Sequence, residues 1–253
     1  MKKIILFSMI FTISFYGCTH LRLEHSNPFD PLYSGPAVTN PVIPTNGLMA
    51  EWLFNGNADD SSGNGNDGVV YNAVLTNDRF GNIGKAYWFD GVNCYIQINN
   101  SFLNPVYSFT FNAWIKINQI SSPYSTILSL GSNPGGNCTT LLLRIDATFK
   151  LYYVFWYNST TGIQNYATTP LSTNSNNFIS LSYSASEIKI YINGVLDYSV
   201  FYNDGALVTN NIYFGADSSY QQGYFSGIID DVRIYNRALS SNEITVLYTE
   251  GGW

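Results

Sequence analysis

The feature that most restricts how this chain can fold is a two-residue alternation of apolar and polar side chains, repeated in short stretches along its length. Phe109, Phe111, Ala113, Ile115 and Ile117 alternate with Ser108, Thr110, Asn112, Trp114 and Lys116. A period of two puts alternate side chains on opposite faces of a strand, so one face here is apolar and Trp114 stands on the other. Ile188, Ile190 and Ile192 alternate with Lys189 and Tyr191. Asn193-Gly194 then makes a two-residue hairpin turn into a strand over Val195–Val200. Further strands are expected at 48–54, 126–130, 141–145, 151–156, 178–183 and 212–214. A long one, bounded by glycines and rich in aromatic and β-branched residues, is expected from Tyr224 to Tyr235. Ser240 with Glu243 three residues on is a capping box, and Leu239 and Ile244 occupy the staple positions around it, so a short helix follows and ends at Gly251. Many short strands with one brief helix predict an all-β fold of two packed antiparallel sheets.

The N-terminus is organised differently. Lys2 and Lys3 precede an apolar run from Ile4 to Tyr16, too short to remain as a membrane span, and residues 1–17 read as a secretory signal. Gly17-Cys18 resembles the lipobox of bacterial lipoproteins, in which the cysteine is lipidated and becomes the mature N-terminus; the other reading is an ordinary cleaved signal. Residues 18–46 hold five of the nine prolines and read as an extended tether. The folded domain is expected over 47–253. Anchoring would be through the lipid alone, placing the chain in the cell envelope, facing the periplasm or the exterior.

Only 11% of residues are charged, against an ordinary share of about a quarter, so Asn, Ser, Thr, Gly and Tyr must cover the surface. From Thr45 onward eight basic residues face fifteen acidic ones with no basic run, which argues against a nucleic-acid partner. Both histidines, His20 and His25, precede the domain, so it has no Ser-His or Cys-His pair and lacks the commonest transition-metal ligand.

Four motifs carry a family resemblance. They are Trp52-Leu53-Phe54 with the loop Asn55–Gly68, Phe89-Asp90-Gly91 with Tyr95–Ile98, Phe109–Lys116, and Gly227-Ile228-Ile229-Asp230-Asp231-Val232-Arg233-Ile234-Tyr235-Asn236-Arg237-Ala238-Leu239-Ser240. Together they resemble a LamG-like, concanavalin A-like jelly-roll domain from about Leu48 to Leu247. The resemblance implies a jelly-roll sandwich, and it suggests a structural Ca²⁺ where the first loop meets the closing strands. Asp60 and Asp231 are then the expected ligands, with Asp59 and Asp90 as alternates, since hard oxygen donors suit that ion. The competing reading is turn chemistry for these residues, with Asp231 paired to Arg233 or Arg237.

Cys94 and Cys138 read as one disulfide in an exported domain, or as two separate buried thiols. Trp114, Trp156, Tyr220 and Tyr224 are candidate ligand-binding aromatics, because an aromatic platform can stack on a sugar ring; the competing role is core packing. Catalysis is not expected. The domain's glutamates, Glu51, Glu187, Glu243 and Glu250, are scattered, and Asp230 and Asp231 as strand neighbours should point to opposite faces. The sequence therefore suggests a non-catalytic, monomeric binding module with a glycan as partner, or a protein-adhesion or scaffold domain binding an extracellular protein.

Overall fold

The computed structural model describes residues 42–99, 102–103, 107–120, 123–131, 140–156, 162–184, 186–201, 211–217 and 223–250. The signal segment, Cys18 and most of the tether lie outside these residues, as do Cys138, Tyr220 and Gly251. No helix among the described residues is long and apolar enough to cross a membrane.

In chain order these residues form β1 (Leu48–Trp52), β2 (Val69–Tyr71), β3 (Val74–Thr76), β4 (Ala86–Asp90), β5 (Tyr95–Ile98), β6 (Phe109–Gln119), β7 (Tyr124–Leu130) and β8 (Thr140–Asp146). There follow β9 (Lys150–Trp156), β10 (Gly162–Pro170), β11 (Asn176–Ser184), β12 (Glu187–Ile192), β13 (Val195–Phe201), β14 (Ile212–Phe214), β15 (Ser226–Tyr235) and α1 (Ser241–Tyr248). The first sheet runs β13-β12-β11-β6-β15-β4-β3, with β1 also on β15; the second runs β10-β9-β8-β7-β14-β5-β2. The named strands pair antiparallel throughout. The two-sheet antiparallel sandwich with one short C-terminal helix is the architecture the alternation predicts.

The apolar halves of the alternating strands face each other and make the core. Phe109, Phe111, Ala113, Ile115 and Ile117 of β6 meet Ile127, Leu128, Leu130, Leu141, Leu143 and Phe214 of the second sheet. Trp52 packs edge-on to Phe214 at 5.0 Å, and its indole N–H donates to the Asn66 carbonyl at 3.0 Å, so the ring is buried without an unsatisfied donor. Asn193 and Gly194 both adopt positive φ, 50° and 77°, the left-handed pair of a type I′ turn. Gly227 has no alternative residue: a Cβ there would lie 2.1 Å from the Lys116 carbonyl.

Helix α1 begins at the expected capping box, with Ser240 and Glu243 bonding reciprocally, but it ends at Tyr248, short of Gly251. It lies on the outward face of the first sheet. Ile244 and Leu247 pack with Trp114, Phe178, Tyr191, Tyr235 and Leu239, the outward residues of β6, β11, β12 and β15 together with the chain leading into the helix. Thr110 joins sheet to helix start, donating to the Arg237 carbonyl at 2.8 Å and accepting from the Leu239 N–H at 2.9 Å.

Arg233 closes the domain. Its Nε donates to Glu51 of β1 at 2.6 Å, and its two terminal nitrogens bind Glu250, beyond the helix, at 2.6 and 2.8 Å. The Arg233 side chain is 3% exposed, so this bidentate clamp stands in low dielectric. Replacing Arg233 with Ala leaves two carboxylates without their partner and should cost about 3–5 kcal/mol, seen as a melting temperature roughly 10 °C lower in thermal denaturation. A second prediction follows from Glu243. The bidentate bond from Arg237, with burial opposing and Ser240 assisting, lowers its pKa to about 2 from 4.5. Because the folded value is depressed, the stability it contributes is complete above pH 4.5 and is lost as pH falls towards 2. The melting-temperature gap between wild type and Glu243→Gln should therefore be full at neutral pH and close over that acidic window.

Candidate functional site

The acidic residues of the first loop and the last strand serve separate tasks. Asp60 organises the loop: its carboxylate accepts from the backbone N–H groups of Glu51 at 3.0 Å, Ser62 at 2.9 Å and Asn66 at 3.0 Å. Burial raises its pKa, but the bonds from Glu51, Ser62 and Asn66 outweigh that, and the net shift is downward. Asp67 accepts from the Asp60 N–H at 2.9 Å, Asp59 accepts from the Asn57 side chain, and Asp90 accepts from the N–H groups of Val92 and Asn93. Among the described residues no three Asp, Glu, Cys or His side chains converge. The bonds above engage these carboxylates with N–H donors, and those from Ser62 to Asp60 and from Val92 to Asp90 are the bonds of Asx turns.

Asp230 and Asp231 depart from the expected alternation. The pairing of β15 with β6 slips between Asp230 and Arg233, and Asp231 has φ of 42°. This bulge lies where the other edge of β15 passes from β4 to β1. It turns both carboxylates onto one partner, Arg79 of the β3–β4 loop, rather than onto Arg233 or Arg237. Burial and then Asp231 raise the Asp230 pKa, with Arg79 opposing. The Arg79 guanidinium also lies 5.0 Å from the Trp114 ring.

Trp114 does stand off the apolar row, as the sequence predicts, but it is not a platform. It is 3% exposed, with Tyr248 of α1 stacked on it at 5.7 Å and Phe178 edge-on at 5.4 Å. A helix that alternation within one strand cannot reveal covers the position. Trp156 ends β9 opposite Gly162 of β10. Cys94 is a free, buried thiol, raised to about 11 mainly by that burial.

The outward face of the second sheet gathers the other aromatics. Tyr95 alternates with core residues Ile96 and Ile98, and Tyr213 stands between core residues Ile212 and Phe214, so both point outward. Tyr71 of β2 stacks on Tyr95 at 4.5 Å, and Tyr213 lies 6.0 Å beyond. Tyr71 is 37% exposed, and Tyr95, Tyr213 and Tyr224 are half-buried. Burial raises all three of the latter phenols, so they remain protonated donors at neutral pH. Further along the face, Arg144 of β8 is buried, pairs with Asp217 and lies 3.9 Å from the Tyr124 ring. Beside it Tyr152 stacks on Tyr166 at 4.8 Å, and burial pushes the Tyr152 phenol up to about 12. Arg144 Nε and Thr126 Oγ1 are buried there without a hydrogen-bond partner.

Of the four aromatics expected at a site, only Tyr224 is described on this face. Arg144, Asp217 and the tyrosines at 71, 95, 124, 166 and 213 were not picked out from sequence. A usable signal existed for one of them, Tyr213: a tyrosine at the outward position of a short strand, flanked by Ile212 and Phe214.

A family model described as the concanavalin A-like lectin/glucanases superfamily matches residues 90–245, more than half of the chain. The chain belongs to this superfamily. Solved structures agree on the superfamily fold. Domain 4 of AbnA, an extracellular GH43 arabinanase from Geobacillus stearothermophilus in complex with arabinotriose, aligns with a TM-score of 0.66 and 22% identity, covering 79% of this chain and 98% of that one. The binding domain of botulinum neurotoxin DC aligns at TM-score 0.65 and 19% identity, in one structure with rat synaptotagmin II and in another with SialylT. The match covers 81% of this chain in both, but only 52% and 51% of the neurotoxin chains, so it spans about half of them. No curated protein matches the sequence.

Removing the Asp60 carboxylate leaves three backbone N–H groups, one in β1 and two in the loop, without their acceptor. Asp60→Ala should lose about 2 kcal/mol in denaturant unfolding, whereas exhaustive chelation of the wild type should leave its midpoint unchanged. A midpoint that falls on chelation and recovers with Ca²⁺ would show an ion these carboxylates do hold.

Proposed function

We propose that this superfamily domain is a non-catalytic carbohydrate-binding module, carried in the cell envelope on a chain anchored through lipidated Cys18. The observation that carries the reading is the tyrosine face of the second sheet: half-exposed Tyr71, Tyr95, Tyr213 and Tyr224 beside an Arg144 fixed between Asp217 and the Tyr124 ring. Tyrosine rings offer flat apolar area together with a hydroxyl donor, and a fixed guanidinium offers planar donors; sugar rings present apolar C–H faces edged by hydroxyls. The arabinotriose bound to the similarly folded arabinanase domain supports this ligand class.

The disposition of the carboxylates supports a binding role over a hydrolytic one. Glu51 and Glu250 are held by Arg233, Glu187 by Lys189 and Glu243 by Arg237, while Asp230 and Asp231 share Arg79. Glycoside hydrolysis needs two carboxyl groups flanking a cleft, and these are committed to cations of the same chain. Protein adhesion is the second reading, for which the neurotoxin domain in complex with synaptotagmin II is the support.

Affinity electrophoresis of the full chain through gels containing linear arabinan, xyloglucan or mixed-linkage β-glucan tests the proposal. Retention by at least one of them is expected, with Tyr95→Ala weakening it about tenfold, the scale of one lost aromatic contact. Passage of the wild type unretarded through all three gels, with saturable binding to a deglycosylated matrix protein instead, would transfer the assignment to protein adhesion.

A further inference from the structure

Helix α1 covers only part of the outward face of the first sheet. At the far end, towards the β3 edge, the strand registers align Asn176, Lys116, Ile228, Trp88 and Val74 in one row across β11, β6, β15, β4 and β3. Residues in register on adjacent antiparallel strands share a face, so these side chains stand side by side about 5 Å apart from strand to strand. Trp88 is 39% exposed, far more than the buried Trp52 and Trp114, and Val74 beside it is 57% exposed.

Next to this row is a cavity of about 400 Å³, lined by Thr76, Asn77, Lys116, Asn176 and Ile228, with Arg79 and Asp230 also contributing to its wall. Ligand pockets commonly occupy about 300–1,000 Å³ and combine apolar wall with a few polar groups. The polar groups here have capacity to spare. Among the described residues Lys116 makes no ion pair, the side-chain amides of Asn77 and Asn176 make no hydrogen bond, and Arg79 Nε is buried without a partner. The formal charges nearly cancel: Arg79 is matched by Asp230 and Asp231, and Lys116 is balanced by Asp78, which also lines the cavity. Such a site does not select an ion. It suits a neutral molecule with an apolar face and many hydroxyls.

We infer that Trp88 and the adjoining cavity form a second carbohydrate site, on the sheet opposite the tyrosine face. A sugar ring stacks on the Trp88 indole, across Ile228, and its hydroxyls or those of the next residue reach Lys116, Asn176 and Asn77. The inference takes its ligand class from the function proposed above. It adds that the domain is two-faced: sites on opposite sheets can engage two polysaccharide chains at once and gain by avidity without any new contact.

The test uses the full chain with the same three polysaccharides, comparing wild type with Trp88→Ala, Lys116→Met and Tyr95→Ala. Thermal melts establish that each variant is folded, which the exposure of Trp88 and the conserved length of Met at 116 favour. Trp88→Ala and Lys116→Met should each weaken retention about fivefold, beside the roughly tenfold loss expected of Tyr95→Ala. Trp88→Ala combined with Tyr95→Ala should abolish it. Wild type should also cross-link the retained polysaccharide into a turbid suspension, while either one-face variant binds without turbidity. Retention of Trp88→Ala and Lys116→Met equal to wild type, with Tyr95→Ala impaired, overturns the second site and leaves the tyrosine face standing. The reverse pattern leaves the Trp88 site and overturns the tyrosine face. A wild type that none of the three gels retains overturns both.

Discussion

An arginine cannot shed its charge, and Arg233 is the most deeply buried arginine among the described residues, at 2% exposure. Arg233 sits near the end of the long central strand, where water cannot solvate its guanidinium, so its burial is tolerable only because Glu51 and Glu250 meet it with three charge-assisted bonds. Those two carboxylates come from the first strand and from the residues just past the helix. One desolvated charge therefore requires that the beginning and the end of the fold be in place together. The helix lying over Trp114 and Tyr191 ends just before Glu250, so the same clamp ties its C-terminal end to the sheet.

The same strand explains the neighbouring bulge. β15 pairs with β6 along its length, but its other edge is shared by two shorter strands, β4 and then β1. Asp230 and Asp231 occupy the junction, where the extra residue lets both side chains turn to Arg79. An insertion of this kind re-aims side chains while conserving the strand. Here it fastens the β3–β4 loop to the sheet and so shapes one wall of the cavity beside Trp88.

Period-two alternation made β6 and β12 legible, because burial of one face forces it. The hairpin turn at Asn193-Gly194 and the cap at Ser240 were legible for local reasons, since each is settled within four residues. β10 was not. Its pattern is mostly exposed, it ends in Pro170, and it lies at the edge of its sheet, where no buried face enforces a hydrophobic rhythm. β2 and β3 are only three residues long, too short to display a period. The opposite-face expectation for Asp230 and Asp231 failed because a bulge is a property of two strands in register, and one strand's sequence cannot show it. The outward position of Trp114 was correctly legible, but its burial depends on a helix more than 120 residues away in the chain. Arg144 and Asp217 are likewise joined only by the fold.

The scarcity of charge acquires a meaning once the ion pairs are placed. Arg79, Arg144, Lys189, Arg233 and Arg237 each hold a carboxylate of the same domain, and three of these five cations, Arg79, Arg144 and Arg233, join segments far apart in the chain. With most of the arginines engaged internally, the proposed recognition falls mainly to tyrosine, tryptophan and side-chain amides. Such groups act through contact and hydrogen bonding, whose range is a few ångströms. A surface of this kind gains strength by repetition, through several weak aromatic contacts along one ligand or on both faces of the sandwich.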